Sequence, residues 1–276
     1  MGTEIRNLAA QYSGCEFVFT DIAELDITDS QAVRDAVSDN NIDVVINCAA
    51  YTAVDAAETD EVRARVLNAD APALLAKAVA ERGGERVQIS TDYVFDGQGH
   101  TPYTEQMPTG PQSVYGSTKL AGEEAVMAAN PKHVIVRTAW LYSPYGHNFV
   151  KTMLRLGRER ERLNVVYDQI GTPTYAADLA KAVLDIVQRK GKTYGVYHYS
   201  NEGVTSWFDF TKAILKLAGI TTCDVQPILT AEYPTPATRP AYSVLSKAKI
   251  KDVYGVKVPY WEDSLRQCLK ELGENV

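Results

Sequence analysis

Two side chains four residues apart, Tyr115 and Lys119, have the right chemistry for acid–base catalysis on a carbonyl oxygen. On a helix this spacing places both side chains on one face. A phenol with a pKa of about 10 exchanges protons poorly at neutral pH, and a neighbouring ammonium group is expected to lower that pKa by stabilising the phenolate. Thr91 is a candidate to hold the same oxygen by a hydrogen bond while a hydride reaches the carbon. Lys119 could also bind the hydroxyl groups of a cofactor ribose.

The Tyr-x-x-x-Lys pair alone is a weak signal, because about one such pair is expected by chance in a chain rich in both residues. The alternative interpretation is a solvated helix face with a half-buried tyrosine. The context favours chemistry, since Thr91 ends a predicted strand and the pair opens the next predicted helix.

Several other side chains each allow two interpretations. Asp21 follows a predicted strand, where a carboxylate accepts hydrogen bonds from adenosine ribose, and Asp26 and Ile27 could border the adenine. A helix-capping or loop aspartate fits the position of Asp21 equally well. Trp140 could stack on a sugar or base, or belong to the core. Arg239 lies in a proline-bounded loop, where it could bind a diphosphate or simply be exposed.

The composition is typical of a soluble globular protein, with 45% hydrophobic and 23% charged residues. The net charge of -7 disfavours nucleic-acid binding through a basic surface. No apolar run approaches the roughly 20 residues that cross a bilayer, and no signal-peptide core is found. Four scattered cysteines indicate neither a zinc site nor a disulfide framework, and they fit a reducing cytosol. We therefore expect a cytoplasmic protein without membrane contact.

Strands and helices are predicted to alternate along the chain. After a helix that includes Ile5 and Tyr12, the predicted strands are EFVFTD (Glu16 to Asp21), IDVVINCAA, RVQIST, HVIVRTAW, LNVVYDQ and YGVYHYSN, and a long helix is predicted from Asp60 to Arg82. This order predicts an α/β fold with a Rossmann-like, doubly wound parallel sheet and a smaller C-terminal substrate lobe. Residues 1–145 are predicted to be the dinucleotide-binding domain, and residues 146–276 to complete the sheet and form that lobe.

Longer motifs resemble the extended short-chain dehydrogenases/reductases, and among them the dTDP-4-dehydrorhamnose reductase family. The resemblance runs essentially from end to end. It is carried by VVINCAAYTAVDAAE, ISTDYVFDG, YGSTKLAGEE, VRTAWLY, NFVKTML, DQIGTPTYAADLA, GVYHYSNEG and YPTPATRPAYSVL.

The resemblance implies an oxidoreductase of nucleotide-sugar biosynthesis. Its reaction would be reduction of the C4 ketone of dTDP-4-dehydro-L-rhamnose to dTDP-L-rhamnose by NADPH or NADH, with Tyr115 supplying the proton. The implied catalytic residues are Thr91, Tyr115 and Lys119. The implied dinucleotide contacts are Gly2, Asp21, Asp26, Ile27, Ala49, Ala50, Tyr51, Tyr115 and Lys119. The implied sugar-nucleotide contacts are Thr52, Val54, Thr91, Asp92, Tyr93 and Trp140, to which the loop position adds Arg239.

Tyr93 separates this chain from the related sugar-nucleotide 4,6-dehydratases, in which Asp-Glu follows the threonine. An epimerising reductase needs an additional acid–base pair, commonly Cys and His, and no cysteine lies near Thr91. A plain ketone reductase is therefore favoured.

The N-terminus departs from the family pattern. The family begins with a strand and a G-x-x-G-x-x-G turn whose N–H groups bind the pyrophosphate, and Gly2 aligns with the last of these glycines. We therefore expect a chain that lacks the first strand and binds cofactor weakly. A non-catalytic regulatory subunit of the same fold stays open as an alternative.

A metal site and a homodimer are also left open. Some family members bind Mg²⁺ at a dimer contact through three glutamates. Glu4 and Glu262 match two of these positions, but the third is Ala177, with Asp178 beside it. No metal is therefore the preferred interpretation, with Glu4 and Glu262 as surface glutamates.

Overall fold

The structure is a computed structural model that describes residues 1–276. Its strands are β1 (Val44–Asn47), β2 (Glu85–Thr91), β3 (His133–Thr138), β4 (Leu141–Tyr142), β5 (Arg162–Val166), β6 (Ile170–Gly171), β7 (Thr174–Tyr175), β8 (Gly195–His198), β9 (Thr205–Ser206) and β10 (Asp224–Ile228). Its helices are α1 (Gly2–Leu8), α2 (Ser30–Asp39), α3 (Val54–Ala57), α4 (Glu61–Arg65), α5 (Ala71–Glu81), α6 (Val114–Ala129), α7 (Phe149–Glu159), α8 (Ala176–Gln188), α9 (Trp207–Leu217), α10 (Ala248–Tyr254) and α11 (Trp261–Glu271). None of these helices is both long enough and apolar enough to cross a membrane.

The main sheet has four parallel strands in the order β1-β2-β3-β8. The predicted α/β class with a parallel sheet is therefore confirmed. Three two-stranded sheets lie outside it: β5 pairs with β10, β4 with β7, and β6 with β9. The predicted strand LNVVYDQ overlaps β5 and pairs with β10 rather than joining the main sheet.

The predicted strand EFVFTD does not form. Residues 16–21 have no strand assignment, and β1 pairs only with β2. Phe17 and Phe19 are partly buried against the cluster around Ile5 and Leu184, while Val18 is exposed. The alternation of apolar residues is thus satisfied by packing, but a strand also needs backbone partners, which this segment does not have.

The helix predicted from Asp60 to Arg82 forms with a wider turn inside it. Helix α4 leads into a π-helical segment, Val66–Asp70, and α5 follows directly. Such wide turns are common at functional sites, because they redirect side chains without ending the helix. Here the wide turn carries Asn68, which is buried.

Helices cover both faces of the main sheet. On one face, valines of β2 and β3 pack against Leu179 and Val183 of α8. On the other face, α2 and α5 pack through Val37 and Leu75. A separate core of 16 buried residues lies among α7, α9 and α11 and includes Ile214 and Leu265. The alternating strands and helices thus leave the carboxyl ends of β1, β2 and β3 accessible for a ligand.

Two glycines let α6 approach the neighbouring backbone closely. A Cβ atom at Gly122 would lie 1.9 Å from the carbonyl oxygen of Asn68, and one at Gly116 would lie 2.3 Å from that of Tyr93. Both obstacles are backbone atoms, which cannot rotate away as a side chain can. The position of α6 therefore depends on the absence of side chains at these two residues.

Replacing Gly122 by alanine should destabilise the protein by about 2 kcal/mol, because an overpacking cost of about 3 kcal/mol exceeds the gain of about 1 kcal/mol in helix propensity. Denaturant unfolding followed by circular dichroism measures the change. Ser117→Ala, an exposed change on the same helix, should stay within about 0.5 kcal/mol of the parent. A Gly122→Ala protein as stable as the parent would show that α6 can shift freely.

Candidate functional site

The start of α6 is held by two side chains. Ser113 is the N-cap and accepts a hydrogen bond from the Gly116 amide at 3.1 Å. Glu58 accepts one from the Val114 amide at 2.9 Å. Together they satisfy amide groups that a helix start leaves without partners. The Glu58 carboxyl group also lies at the positive, N-terminal end of the helix dipole, where an acidic side chain is favourable. Tyr115 follows directly and is thereby fixed at the carboxyl edge of the sheet.

The three predicted catalytic residues come together at the end of β2. Thr91 is the last residue of that strand, and its hydroxyl donates to Asp92 Oδ1 at 3.0 Å. Lys119 is buried and donates from Nζ to the Ile89 carbonyl at 2.7 Å. The rings of Tyr93 and Tyr115 meet edge to face with centroids 5.4 Å apart. The sheet edge and α6 thus place a hydroxyl, a phenol and an amine around one point.

The expected lowering of the Tyr115 pKa is wrong for this structure. Burial raises the pKa of Tyr115 well above its ordinary value, and a hydrogen bond with Thr91 only partly offsets this effect. Burial also lowers the pKa of Lys119 to about 8, against the attraction of Glu123, which raises it. At neutral pH the Tyr115 phenol is therefore protonated and the Lys119 amine is cationic. In this state Tyr115 can donate its proton.

Asp92 is a buried carboxyl next to Thr91. Burial raises its pKa to about 6, and hydrogen bonds with Thr91 and Ser243 act in the opposite direction. Tyr93, the next residue, has its pKa raised to about 12 by burial, so its hydroxyl is neutral. The end of β2 therefore presents a neutral phenol at Tyr93 beside a carboxyl, Asp92, that ionises near pH 6.

The segment Ala49–Tyr51 continues from β1 at the same edge. The Ala49 amide donates to Asn47 Oδ1 at 3.0 Å, and the Tyr51 amide donates to Asn68 Oδ1 at 2.9 Å. Asn68 also donates to the Tyr51 carbonyl and to the Thr118 hydroxyl on α6, both at 3.2 Å. One amide side chain thus connects the predicted cofactor segment to the helix that carries Tyr115.

The remaining predicted cofactor residues lie on separate segments. Asp21 and Asp26 are exposed and bond locally, Asp21 with the Ile22 amide and Asp26 with the Thr28 amide and hydroxyl. Those bonds lower the pKa of Asp26. Ile27 packs partly against the core of α2 and α5. Gly2, exposed at the start of α1, lies beside Cys48, the residue before Ala49, since a Cβ atom built on it would be 3.9 Å from Cys48 Cβ.

Trp140 lies in an aromatic stack at the end of β3. Its backbone has a φ of 49°, which is strained for a bulky residue. Its ring stacks on Trp207 with centroids 3.5 Å apart, and Gly171 leaves the space for that ring. Trp140 is half-buried, so it packs in the fold, and its stacking on a sugar or base stays a prediction.

Arg239 reaches from its loop to the other candidate substrate residues. Its guanidinium donates to Asp55 Oδ2 at 2.6 Å and to the Tyr93 hydroxyl at 3.4 Å. Asp55 follows Val54, which is half-buried at the start of α3, and Thr52 is exposed just before it. The loop is therefore attached to α3 through Asp55 and to the turn after β2 through Tyr93.

The glutamates considered for Mg²⁺ do not form a metal site. The expectation of two surface glutamates is wrong for Glu4, which is buried with one oxygen lacking a partner, whereas Glu262 is partly exposed and lies within 3.4 Å of Arg266. No group of three or more His, Cys, Asp or Glu side chains is arranged to hold a metal ion. With Ala177 at the third position, this chain supplies two of the three glutamates that the family pattern requires.

Several residues of the site were not predicted from the sequence. Ser113 had a usable signal, a serine just before a predicted helix. The others, Asn68, Glu58, Asp55 and Glu123, act through partners between 14 and 184 residues away, for which spacing along the chain provides no pattern.

The chain is similar to known proteins over nearly its whole length. The sequence profile of the RmlD substrate binding domain matches residues 1–274. A dTDP-4-dehydrorhamnose reductase from Sinorhizobium fredii is 44% identical over 252 residues, which cover 88% of this chain and 85% of the relative. The crystal structure of a dTDP-4-dehydrorhamnose reductase from Clostridium acetobutylicum superposes with a TM-score of 0.93 at 46% identity, over 99% of this chain and 95% of the other.

This chain belongs to the RmlD substrate binding domain family. A second structure of a dTDP-4-dehydrorhamnose reductase, from Bacillus anthracis in complex with NADP, has a TM-score of 0.89 at 40% identity and covers 96% of this chain and 95% of its own. The RmlD-family assignment agrees with the convergence of Thr91, Tyr115 and Lys119 at one sheet edge.

In this RmlD-family chain, replacing Asp92 by asparagine should change how stability depends on pH. The pKa of Asp92 is raised from 3.8 to about 6, so its ionisation destabilises the folded state. This cost grows as the pH rises from about 4 to about 6 and is fully present above that range. From pH 4 to pH 7, the unfolding free energy of Asp92→Asn should therefore rise relative to the parent by up to about 3 kcal/mol. Urea unfolding at both pH values measures this change.

Asp96→Asn is a control of opposite sign. The Tyr103 hydroxyl lowers the pKa of Asp96, so that group stabilises the fold above its unfolded pKa and loses this effect as the pH falls. Asp96→Asn should therefore lose stability relative to the parent as the pH rises. A pH-independent difference for Asp92→Asn would contradict the assigned ionisation.

Proposed function

We propose that this chain reduces the C4 ketone of dTDP-4-dehydro-L-rhamnose to dTDP-L-rhamnose with NADPH. The observation that carries this proposal is the convergence of Thr91, Tyr115 and Lys119 at the end of β2, with a protonated phenol and a cationic amine. The three relatives described above are named dTDP-4-dehydrorhamnose reductase, and one of them was crystallised in complex with NADP.

The residues at the ends of β1 and β2 fit a nicotinamide dinucleotide. Ala49 and Ala50 have small side chains, and hydrogen bonds from the Ala49 amide to Asn47 and from the Tyr51 amide to Asn68 hold this segment in place. Lys119 shares a helix face with Tyr115, and we propose that its amine also binds the ribose hydroxyls of the cofactor. When bound, the cofactor supplies the hydride, and we prefer NADPH to NADH because of the NADP complex of the relative.

The residues of this chain supply the proton and hold the oxygen. As the ketone carbon gains a hydride, its oxygen takes the proton of the Tyr115 hydroxyl, so that one alcohol and one phenolate result. The ammonium of Lys119 stabilises that phenolate until solvent returns a proton. The Thr91 hydroxyl, beside Tyr115, orients the oxygen by a hydrogen bond.

The substrate residues are proposed from their positions around this point. Asp92 and Tyr93 form the turn directly after β2 and offer a carboxyl and a neutral phenol to the sugar for hydrogen bonding. Trp140 offers one side of its ring, and the Arg239 guanidinium is suited to the diphosphate. Thr52 and Val54 come shortly before Asp55, the partner of Arg239, along the chain.

The setting of the reaction is also a proposal. All four cysteines are free thiols. A reducing compartment keeps such thiols unpaired, and we place the enzyme in the cytoplasm on that basis.

Tyr115→Phe should reduce turnover of dTDP-4-dehydro-L-rhamnose by at least about 100-fold, because the general acid is removed while the ring and its packing are kept. Loss of NADPH absorbance measures turnover. The control is Tyr194→Phe, which removes a hydroxyl just before β8, at the opposite end of the sheet, and should leave turnover unchanged. Parent-like turnover by Tyr115→Phe would refute the assigned proton donor, and an inactive parent would refute the reductase function.

A further inference from the structure

A buried ion pair between Glu123 and Arg137 lies one helical turn after Lys119 on α6. Glu123 is completely buried. Arg137 of β3 binds its carboxylate through Nη2 at 2.7 Å and through Nε at 3.0 and 3.1 Å. The Ser90 hydroxyl donates to Glu123 Oε1 at 2.5 Å. The carboxylate is therefore held in one place by groups from two strands.

The arrangement has more than a structural consequence, because Tyr115, Lys119 and Glu123 follow each other at intervals of four residues. This spacing puts the three side chains in a row along one face of α6. Proton donation by Tyr115 leaves a phenolate, and only a cationic Lys119 stabilises it. The charge on Lys119 therefore has to survive its burial.

The charged groups around Lys119 act against one another. Burial and Arg86 of β2 lower the pKa of the amine, whereas Glu123 and Cys48, which follows β1, raise it. Burial raises the pKa of Cys48 to about 11, so its thiol is neutral at pH 7 and gives no attraction. Glu123, held in its ion pair with Arg137, is thus the group among these that raises the pKa of Lys119 at neutral pH.

We propose that Glu123, fixed by Arg137 and Ser90, is a positioning residue that keeps Lys119 cationic for proton transfer by Tyr115. Glu123 itself does not contact the reacting atoms. The role deepens the proposed reductase function and rests on it for its catalytic meaning, but the charge on Lys119 can be measured without any substrate.

The test is the titration of Lys119 by NMR in protein labelled with ¹³C-lysine, with the Lys119 signal assigned through Lys119→Arg. In Glu123→Gln the midpoint should fall by about one pH unit or more, because one unit charge is removed within a helical turn of the amine. Glu124→Gln, an exposed change at the next residue, should leave the midpoint where it is in the parent.

A second variant protects the test against misfolding. Glu123→Gln leaves Arg137 buried without its anion, whereas Glu123→Leu with Arg137→Met replaces the whole pair by apolar groups of similar size. The double variant removes an anion and a cation together, so it should lower the midpoint in the same direction but by less than Glu123→Gln. A midpoint equal to that of the parent in the double variant would overturn the proposal.

Turnover provides a separate readout. The alkaline limb of the kcat profile should move to lower pH in Glu123→Gln by the same amount as the Lys119 midpoint, and Glu124→Gln should leave it in place. A uniform loss of kcat at every pH, with the limb unmoved, would mean a purely structural role for Glu123. An inactive parent would count against the reductase function, while the NMR midpoints would still decide the role of Glu123.

Discussion

The close contact of α6 with the backbone around it is the constraint on which the site depends. Gly122 admits the carbonyl of Asn68 and Gly116 that of Tyr93, at distances that no side chain allows. Because α6 carries Tyr115 and Lys119, the same contact sets how far these groups lie from Thr91 at the end of β2. Asn68 then extends the constraint to the segment Ala49–Tyr51.

Close packing also decides the electrostatics. Removing Tyr115 and Lys119 from water shifts both pKa values toward the neutral forms, upward for the phenol and downward for the amine. The first shift suits a proton donor, whereas the second works against the cation that must stabilise the phenolate. A buried carboxylate at Glu123 offsets the second shift, and Arg137 compensates the cost of burying that carboxylate. The site thus combines a raised and a lowered pKa on one helix face.

The parts of this structure that follow from local rules could be predicted from the sequence. Strand–helix alternation predicted the parallel sheet, and the strand-end rule placed Thr91 beside Tyr115 and Lys119. The parts that depend on distant partners could not. EFVFTD has the pattern of a strand but no neighbour to pair with, and the sign of the Tyr115 shift depends on burial rather than on Lys119 four residues away. Asn68 and Glu123 bind groups that no spacing pattern connects to them.

The central claim is that the edge formed by β2 and α6 reduces a ketone by hydride and proton transfer. The most direct measurement mixes the chain with dTDP-4-dehydro-L-rhamnose and NADPH that is doubly deuterated at the nicotinamide C4, and follows the sugar by NMR. One deuterium at C4 of dTDP-L-rhamnose for each NADPH oxidised is the expected result. Unreacted ketone, or a product without deuterium at that carbon, would contradict the claim.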